Sequence, residues 1–297
     1  MSRIEEALRR ADRVSGAYDV AAHQDAFVTA WPGDVDAPPS PLPRDLPAVE
    51  HTTPAPRIAL AERRPVRHFS SKWRELLAMP DGSPAMVEQF RRLAAALHSA
   101  QSANGIRRLM VTSASAADGK TLTAVNLALV LSESYRRRVF LVDADLRRPS
   151  LGSFIDLADA QGLSEGLRDD SRKLAVVEVS PTLTLLPAGQ PDLDPIVGLS
   201  SPRLRNVLEE GARRFDWVLV DAPPVGAVAD ASLLAEHVDG ILLVVRVGQT
   251  QHDDVQRAID TLGRDKILGV VLNGVDRMPE PYGYPYGGEP AKASRWA

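Results

Sequence analysis

Cysteine is absent from the 297-residue chain, which excludes disulfides, thiolate metal sites and cysteine nucleophiles together. An excess of positive charge is missing too. The 35 Lys and Arg against 39 Asp and Glu leave a net charge of −4, so the protein as a whole is no electrostatic trap for nucleic acid. Long apolar runs are lacking: stretches such as Leu127–Leu131 and Ile241–Val245 fall far short of the roughly 18–20 residues that span a bilayer. The start, Met1-Ser2-Arg3-Ile4-Glu5-Glu6, is charged throughout and carries no signal-peptide core. These absences predict a soluble, cytoplasmic protein with no membrane span of its own.

Proline is plentiful but unevenly placed. Of 23 prolines, eleven lie in residues 31–84 and four in residues 276–297, leaving eight for the 191 residues between. Three of the five tyrosines, Tyr282, Tyr284 and Tyr286, crowd the tail. Composition therefore divides the chain into a Pro-rich front, an ordinary globular middle and an odd tail, and with the residue patterning the segments are 1–14, 15–69, 70–275 and 276–297. The first stretch reads as a short amphipathic helix, with Ile4, Ala7, Leu8, Ala11 and Val14 near helical spacing and Ser2 with Glu5 matching a capping box. A helix this short needs a surface to cover, either the protein's own core or a partner. Residues 15–69 show no sustained period and read as a largely disordered, polyproline-prone linker.

Order is expected from about Ser70, with a short helix over Lys72–Met79 and a longer one after Ser83-Pro84 running to about Ala103. From Arg107 to Asn273, buried strands alternate with helices. The strands are Leu109–Val111, Val139–Val142, Trp217–Val220, Ile241–Val245 and Ile267–Leu272, with Leu183–Leu186 a further candidate. The helices are Thr121–Ser134, Pro202–Arg213, Ala231–His237 and Asp253–Leu262. Strands apolar on both faces and separated by helices predict an α/β fold, a mostly parallel sheet covered on both sides.

The strongest chemical signal leaves one of these strands and enters a helix: Ser115-Ala116-Ala117-Asp118-Gly119-Lys120-Thr121-Leu122. Backbone N–H groups and a helix N-terminus at such a junction cradle phosphates. Lys120 supplies positive charge to the β- and γ-phosphates, and the Thr121 hydroxyl is placed to ligate Mg²⁺. The pattern G-x-x-x-x-G-K-[ST] puts Gly at position 114, where this chain has Ala. Two further strand ends supply acids, Asp143-Ala144-Asp145-Leu146-Arg147 and Asp221-Ala222-Pro223-Pro224. Ligands of parallel sheets bind where the strands end, and a hard cation on a triphosphate wants oxygen ligands.

This combination resembles the bacterial tyrosine kinases, the CpsD/CapB-type P-loop autokinases of capsule and exopolysaccharide synthesis. Their signatures are a Walker A loop that often lacks its first Gly, a Walker A′ strand ending in D-x-D-x-R and a Walker B strand ending in D-x-P-P. The likeness runs from about Glu88 to Val275 and includes Leu186-Pro187-Ala188-Gly189, Ser200-Ser201-Pro202-Arg203, Val244-Val245-Arg246-Val247-Gly248 and Gly269-Val270-Val271-Leu272-Asn273. It implies an ATP- and Mg²⁺-dependent P-loop kinase that phosphorylates its own tail in trans, at Tyr282, Tyr284 and Tyr286. It also implies recruitment to the membrane by a Wzz-like polysaccharide co-polymerase.

Within that resemblance Lys120 holds phosphates, and Thr121, Asp221 and one of Asp143 and Asp145 serve the metal. The other Asp of the pair takes the tyrosine proton, and Asn273 matches a purine-reading Asn. The family's ring-forming E-x-x-R-x-x-R keeps Glu88 and Arg91 but has Ala94 in place of its second Arg. Two alternatives are a ParA/MinD-type ATPase, whose early P-loop Lys is Ser115 here, and a non-catalytic nucleotide-dependent scaffold. The stretch Gly162-Leu163-Ser164-Glu165-Gly166 fits the G-x-S-x-G of hydrolases, but no apolar strand precedes it.

Overall fold

The computed structural model describes residues 84–155, 161–169 and 173–275, together with the backbone of two short strands, Ala26–Val28 and Arg64–Pro65. The expected helices over residues 2–14 and 72–79 and the tyrosine-rich tail lie outside the described residues.

Nine strands form one sheet: β1 (Ala26–Val28), β2 (Arg64–Pro65), β3 (Arg108–Ser113), β4 (Val139–Asp143), β5 (Val177–Ser180), β6 (Leu183–Leu186), β7 (Trp217–Asp221), β8 (Gly240–Arg246) and β9 (Ile267–Asn273). Their order across the sheet is β1-β9-β8-β3-β7-β4-β6-β5-β2. Pairing is parallel except at β1 with β9 and β5 with β6. The two edge strands β1 and β2 fall inside residues 15–69, so the linker reading does not hold for those five residues. Strand β1 lies along β9, pairing Ala26 with Asn273.

Strands β4 and β7 are buried at every position, as their unbroken apolar runs predict. Alternate side chains feed two cores, one on each face of the sheet. Met110, Phe140, Val142, Val218 and Val220 point to one face, and Leu109, Val111, Leu141, Trp217 and Leu219 to the other. Each of these large side chains contributes on the order of 1.5–3 kcal/mol by leaving water.

Among the described residues seven α-helices cover the faces: α1 (Pro84–Asn104), α2 (Lys120–Leu129), α3 (Leu163–Arg168), α4 (Ile196–Leu199), α5 (Pro202–Arg214), α6 (Asp230–Ala235) and α7 (His252–Leu262). Pro84 opens α1 at the expected position, and Ser201 caps α5 by accepting the Leu204 N–H, with Pro202 next in line. The helix read as Thr121–Ser134 ends earlier as an α-helix, and residues Val130–Ser134 widen into a π-turn. There the Ser132 hydroxyl bonds back to Leu129 O, in competition with the helical ladder. The G-x-S-x-G stretch forms the short helix α3 and buries Ser164, which makes it no hydrolase nucleophile. Among the described residues no helix is long and apolar enough to cross a membrane.

Candidate active site

The carboxyl ends of β9, β8, β3, β7 and β4 open onto one cavity of about 700 Å³. This edge is where doubly wound sheets bind ligands. Ala116, Ala117, Gly119, Lys120, Thr121 and Leu122 form its floor, Asn273, Gly274 and Arg246 one end, and Asp145, Arg147, Arg148 and Ser150 the other.

The loop between β3 and α2 is wound tightly. Ala117 stands at φ 66° and Gly119 at φ 97°, both in the left-handed region. A Cβ on Gly119 would come within 2.0 Å of the Asn273 amide nitrogen, so this position requires Gly for space as well as for φ. Asn273 in turn donates to Asp118 O at 2.8 Å, tying the last strand to the loop. The Asp118 carboxylate faces away from the cavity. It accepts the Ser115 N–H at 3.0 Å and the Thr250 hydroxyl at 2.8 Å. Burial raises its pKa, and those two donors only temper the shift. Ser115 and Asp118, expected among the ATP contacts, are therefore absent from the cavity lining, and the Asp118 side chain braces the loop. Arg246 joins that bracing through Ala117 O at 3.2 Å.

Lys120 sits among acids. Its ammonium donates to Asp145 Oδ2 at 2.8 Å, lies 3.9 Å from Asp221 Oδ1 and 3.3 Å from Thr121 Oγ1. Burial works against the ammonium, but Asp221 and Asp145 outweigh it, and the pKa of Lys120 is raised. Thr121 Oγ1 also shares a 2.7 Å hydrogen bond with Ser150 Oγ. Arg147 is held by a two-point pairing with the buried Asp230, Nε to Oδ2 at 2.7 Å and Nη2 to Oδ1 at 3.2 Å, and by Leu193 O. The Asp230 hydrogen bond raises its pKa.

Asp143 and Asp221 stand opposite each other in the register of β4 and β7. Both are buried behind the cavity floor. Asp143 accepts the N–H of Asp145 at 3.2 Å and of Leu151 at 3.3 Å. Neither oxygen of Asp221 has a hydrogen-bond donor. Burial, then the neighbouring Asp221, pushes Asp143 well above the usual carboxylate range. Burial pushes Asp221 up to about 6, although Lys120 and the nearby Thr121 hydroxyl, itself engaged with Ser150, favour its ionised form.

Among the described residues, no three Asp, Glu or His side chains converge closely enough to enclose a metal by themselves. That donor set suits Mg²⁺, which keeps several waters and binds through one or two carboxylates plus phosphate oxygens. The donorless buried carboxylate of Asp221, beside Thr121, fits such an ion.

Glu88 and Arg91 lie away from this cavity on the exposed face of α1, where their side chains pair at 3.8 Å. Ala94, where the resembling motif has Arg, is fully buried on the inner face of α1. The sequence reading did not find Ser150, Phe154, Thr250 or the partner Asp230. Ser150 and Phe154 follow directly behind Arg147-Arg148-Pro149, so position was the signal for them. Thr250 lies in the turn after β8 and Asp230 opens α6, positions that no motif marks.

No protein-family model matches the chain. Individual relatives do. The tyrosine-protein kinase YwqD of Bacillus subtilis is 33% identical over 205 residues, covering 68% of this chain and 86% of that protein. The tyrosine-protein kinase Wzc of Salmonella typhi is 31% identical over 222 residues, 72% of this chain but only 30% of the relative. Among solved structures, the kinase domain of Escherichia coli tyrosine kinase ETK superposes with a TM-score of 0.64 at 29% identity, covering 76% of this chain and 95% of that one. The BceF tyrosine kinase domain gives 0.60 at 30% identity, with coverages of 73% and 92%. The relatives that match this chain at 31–33% identity are tyrosine-protein kinases, which favours the kinase reading over the partitioning-ATPase alternative. The chain belongs to the bacterial tyrosine-protein kinases and is a protein-tyrosine kinase.

Proposed function

We propose that this kinase transfers the γ-phosphoryl group of ATP to Tyr282, Tyr284 and Tyr286 of a second copy of itself. The output of that transfer is control of exopolysaccharide or capsule synthesis and export. A Wzz-like polysaccharide co-polymerase is the partner that recruits the kinase to the inner face of the membrane. The observation that carries the reading is Lys120 set between Asp145 and Asp221 on the floor of the strand-end cavity.

Roles follow from position. The N–H groups of Ala116, Ala117 and Gly119 cradle phosphates, Lys120 leaves Asp145 to neutralise them, and Asn273 reads the base. Thr121, Asp221 and Asp143 would hold Mg²⁺ or its waters, and the bound ion would supply neutralisation of the phosphate charge. Asp145 lines the cavity and Asp143 does not, so Asp145 takes the acceptor proton. The phenol oxygen forms its bond to Pγ as the bridging Pγ–O bond breaks, the proton passes to Asp145 Oδ2, and ADP leaves. Positioning and charge, rather than covalent chemistry by the protein, supply the rate. Each phosphate adds about −1.5 to −2 charge to the tail and thereby alters association between copies. Glu88 and Arg91, exposed on α1, are the residues available for that association.

The test mixes wild-type chain with a size-tagged Lys120→Met chain, adds ATP and Mg²⁺, and maps phosphate by mass spectrometry. Phosphotyrosine on the tail of the Lys120→Met copy, absent when that copy is incubated alone, is the expected result. Phosphate confined to tyrosines outside residues 276–297 would overturn the tail assignment, and label on the wild-type copy alone would overturn transfer in trans.

A further inference from the structure

The cavity has a direction set by the sheet. Asn273 and Arg246 stand at its β9–β8 end, Lys120 and Thr121 lie over β3, and Asp145 and Arg147 mark its β4–β7 end. With the base at Asn273 and phosphates over the loop, the β4–β7 end is where an acceptor must enter. Two segments line it beyond the charged groups: Ser153 and Phe154 after β4, and Pro223, Pro224, Ala227 and Val228 after β7. The second segment offers no charged side chain, which is an odd wall for a phosphate site and a fitting one for an aromatic ring.

We infer that Phe154 and the Pro223–Pro224 ledge form the subsite that takes the phenol ring of the acceptor tyrosine. The inference rests on the kinase reading of the same cavity and specifies how it selects its substrate. Phe154 is partly buried, packs against the core on one face of the sheet and lines the cavity. Its position is set by the catalytic carboxylates' own loop. Leu151 is buried and its N–H bonds to Asp143, the Phe154 N–H closes the turn onto Leu151 O at 3.0 Å, and Ser150 is joined to Thr121. The aromatic side chain is thereby registered to the groups that hold phosphate and metal. Aromatic rings pack edge-to-face or offset against one another and bury large area with few rotatable bonds. A phenol lodged between Phe154 and the proline ledge keeps its hydroxyl directed at Asp145. A serine or threonine hydroxyl, one bond from its Cβ, cannot cross the width of a ring to the same point.

The experiment compares the full-length wild-type, Phe154→Ala, Phe154→Leu and Phe154→Trp chains. ATP affinity is measured by equilibrium binding, and steady-state phosphorylation is measured on a peptide of residues 276–297. The expected result is a rise of roughly tenfold in the peptide KM for Phe154→Ala with ATP affinity unchanged. Phe154→Leu, which retains packing volume, keeps wild-type thermal stability yet raises KM severalfold, and Phe154→Trp restores it. A peptide with all three tyrosines replaced by Phe inhibits the wild type competitively against the acceptor and loses that inhibition in Phe154→Ala. Unchanged acceptor KM in both Ala and Leu variants overturns the subsite, as does parallel loss of ATP affinity. If wild type leaves the peptide unlabelled, the tail reading fails by itself. The subsite is then judged on total autophosphotyrosine: a tenfold slower rate in Phe154→Ala with intact ATP binding upholds it, and an unchanged rate overturns it.

Discussion

Two strand ends meet at the same level of the sheet, and each finishes in an aspartate. Asp143 and Asp221 are register partners, equally buried, on neighbouring parallel strands. The chain treats them oppositely. Asp143 receives two backbone N–H groups, one from the Asp145 peptide and one from the turn that leads to Phe154. Asp221 receives none and has Lys120 only at 3.9 Å. A buried carboxylate with donors organises a loop, whereas one without them is costly until a cation arrives. The comparison teaches that identical residues at identical depth are separated by the loops that follow them. After β4 the chain turns back over its acid; after β7 it leaves through Ala222-Pro223-Pro224, where two prolines have no N–H to offer.

The largest expected effect comes from removing the charge held open. With Asp221 in the proposed metal-holding role, Asp221→Asn is expected to lower phosphoryl transfer by about 10³-fold, because charge neutralisation of the phosphates would supply much of the rate. Its melting temperature stays level or rises, since the variant relieves a buried carboxylate that no hydrogen-bond donor satisfies. Phosphotyrosine formation and thermal unfolding, measured on one preparation, read both. A large fall in stability would show that Asp221 is a structural acid like its neighbour.

Asp143→Ala is the converse change. It leaves two buried N–H groups without an acceptor, and each such loss costs about 1–3 kcal/mol. Burial and Asp221 push Asp143 toward its neutral form, so deleting it relieves little charge repulsion in return. A net loss of about 2 kcal/mol, read as a melting temperature lower by roughly 4–8 °C, is expected for a domain of this size. Asp143→Asn keeps one acceptor oxygen and recovers part of the loss. Equal stability in Asp143→Ala and wild type would erase the distinction between the two acids.

That distinction was not legible in the sequence, although both strand ends were. Unbroken apolar runs located the central strands because burial on both faces leaves no alternation to misread. The Gly-Lys-Thr triplet and the two acidic strand ends converged on one cavity because parallel strands put their carboxyl ends on one edge. Side-chain direction did not follow from that pattern. Asp118 was grouped with the phosphate contacts, yet its carboxylate turns inward to Ser115 and Thr250, which is 132 positions away. That Asp145 lines the cavity while Asp143 lies behind it, accepting the Leu151 N–H, is likewise encoded by no motif. Ala94 shows the same limit on a helix: its motif position is clear, but its burial on the inner face of α1 depends on packing against the sheet.

Asp239 extends the comparison to the opposite edge of the sheet and gives the smallest effect. It joins the amino ends of β8 and β3, accepting the N–H groups of Arg107 at 2.9 Å and Arg108 at 2.8 Å and the Arg108 guanidinium at 3.1 Å. Burial alone would raise its pKa, but the Arg108 side chain and the two backbone donors outweigh burial, and the net shift is downward. A carboxylate with a depressed folded-state pKa contributes stability that is fully present above its unfolded value, near 3.9. The contribution fades as pH falls through the lower folded value. Asp239→Asn therefore costs about 1 kcal/mol at neutral pH, since the charge-assisted bonds become neutral ones at a partly exposed site. Urea unfolding of wild type and variant across pH 7 to 3 should show two curves that converge below about pH 4. A gap that stays constant over that range would mean that Asp239 acts through packing rather than charge, and would leave donor count a poor guide to what an aspartate at a strand end contributes.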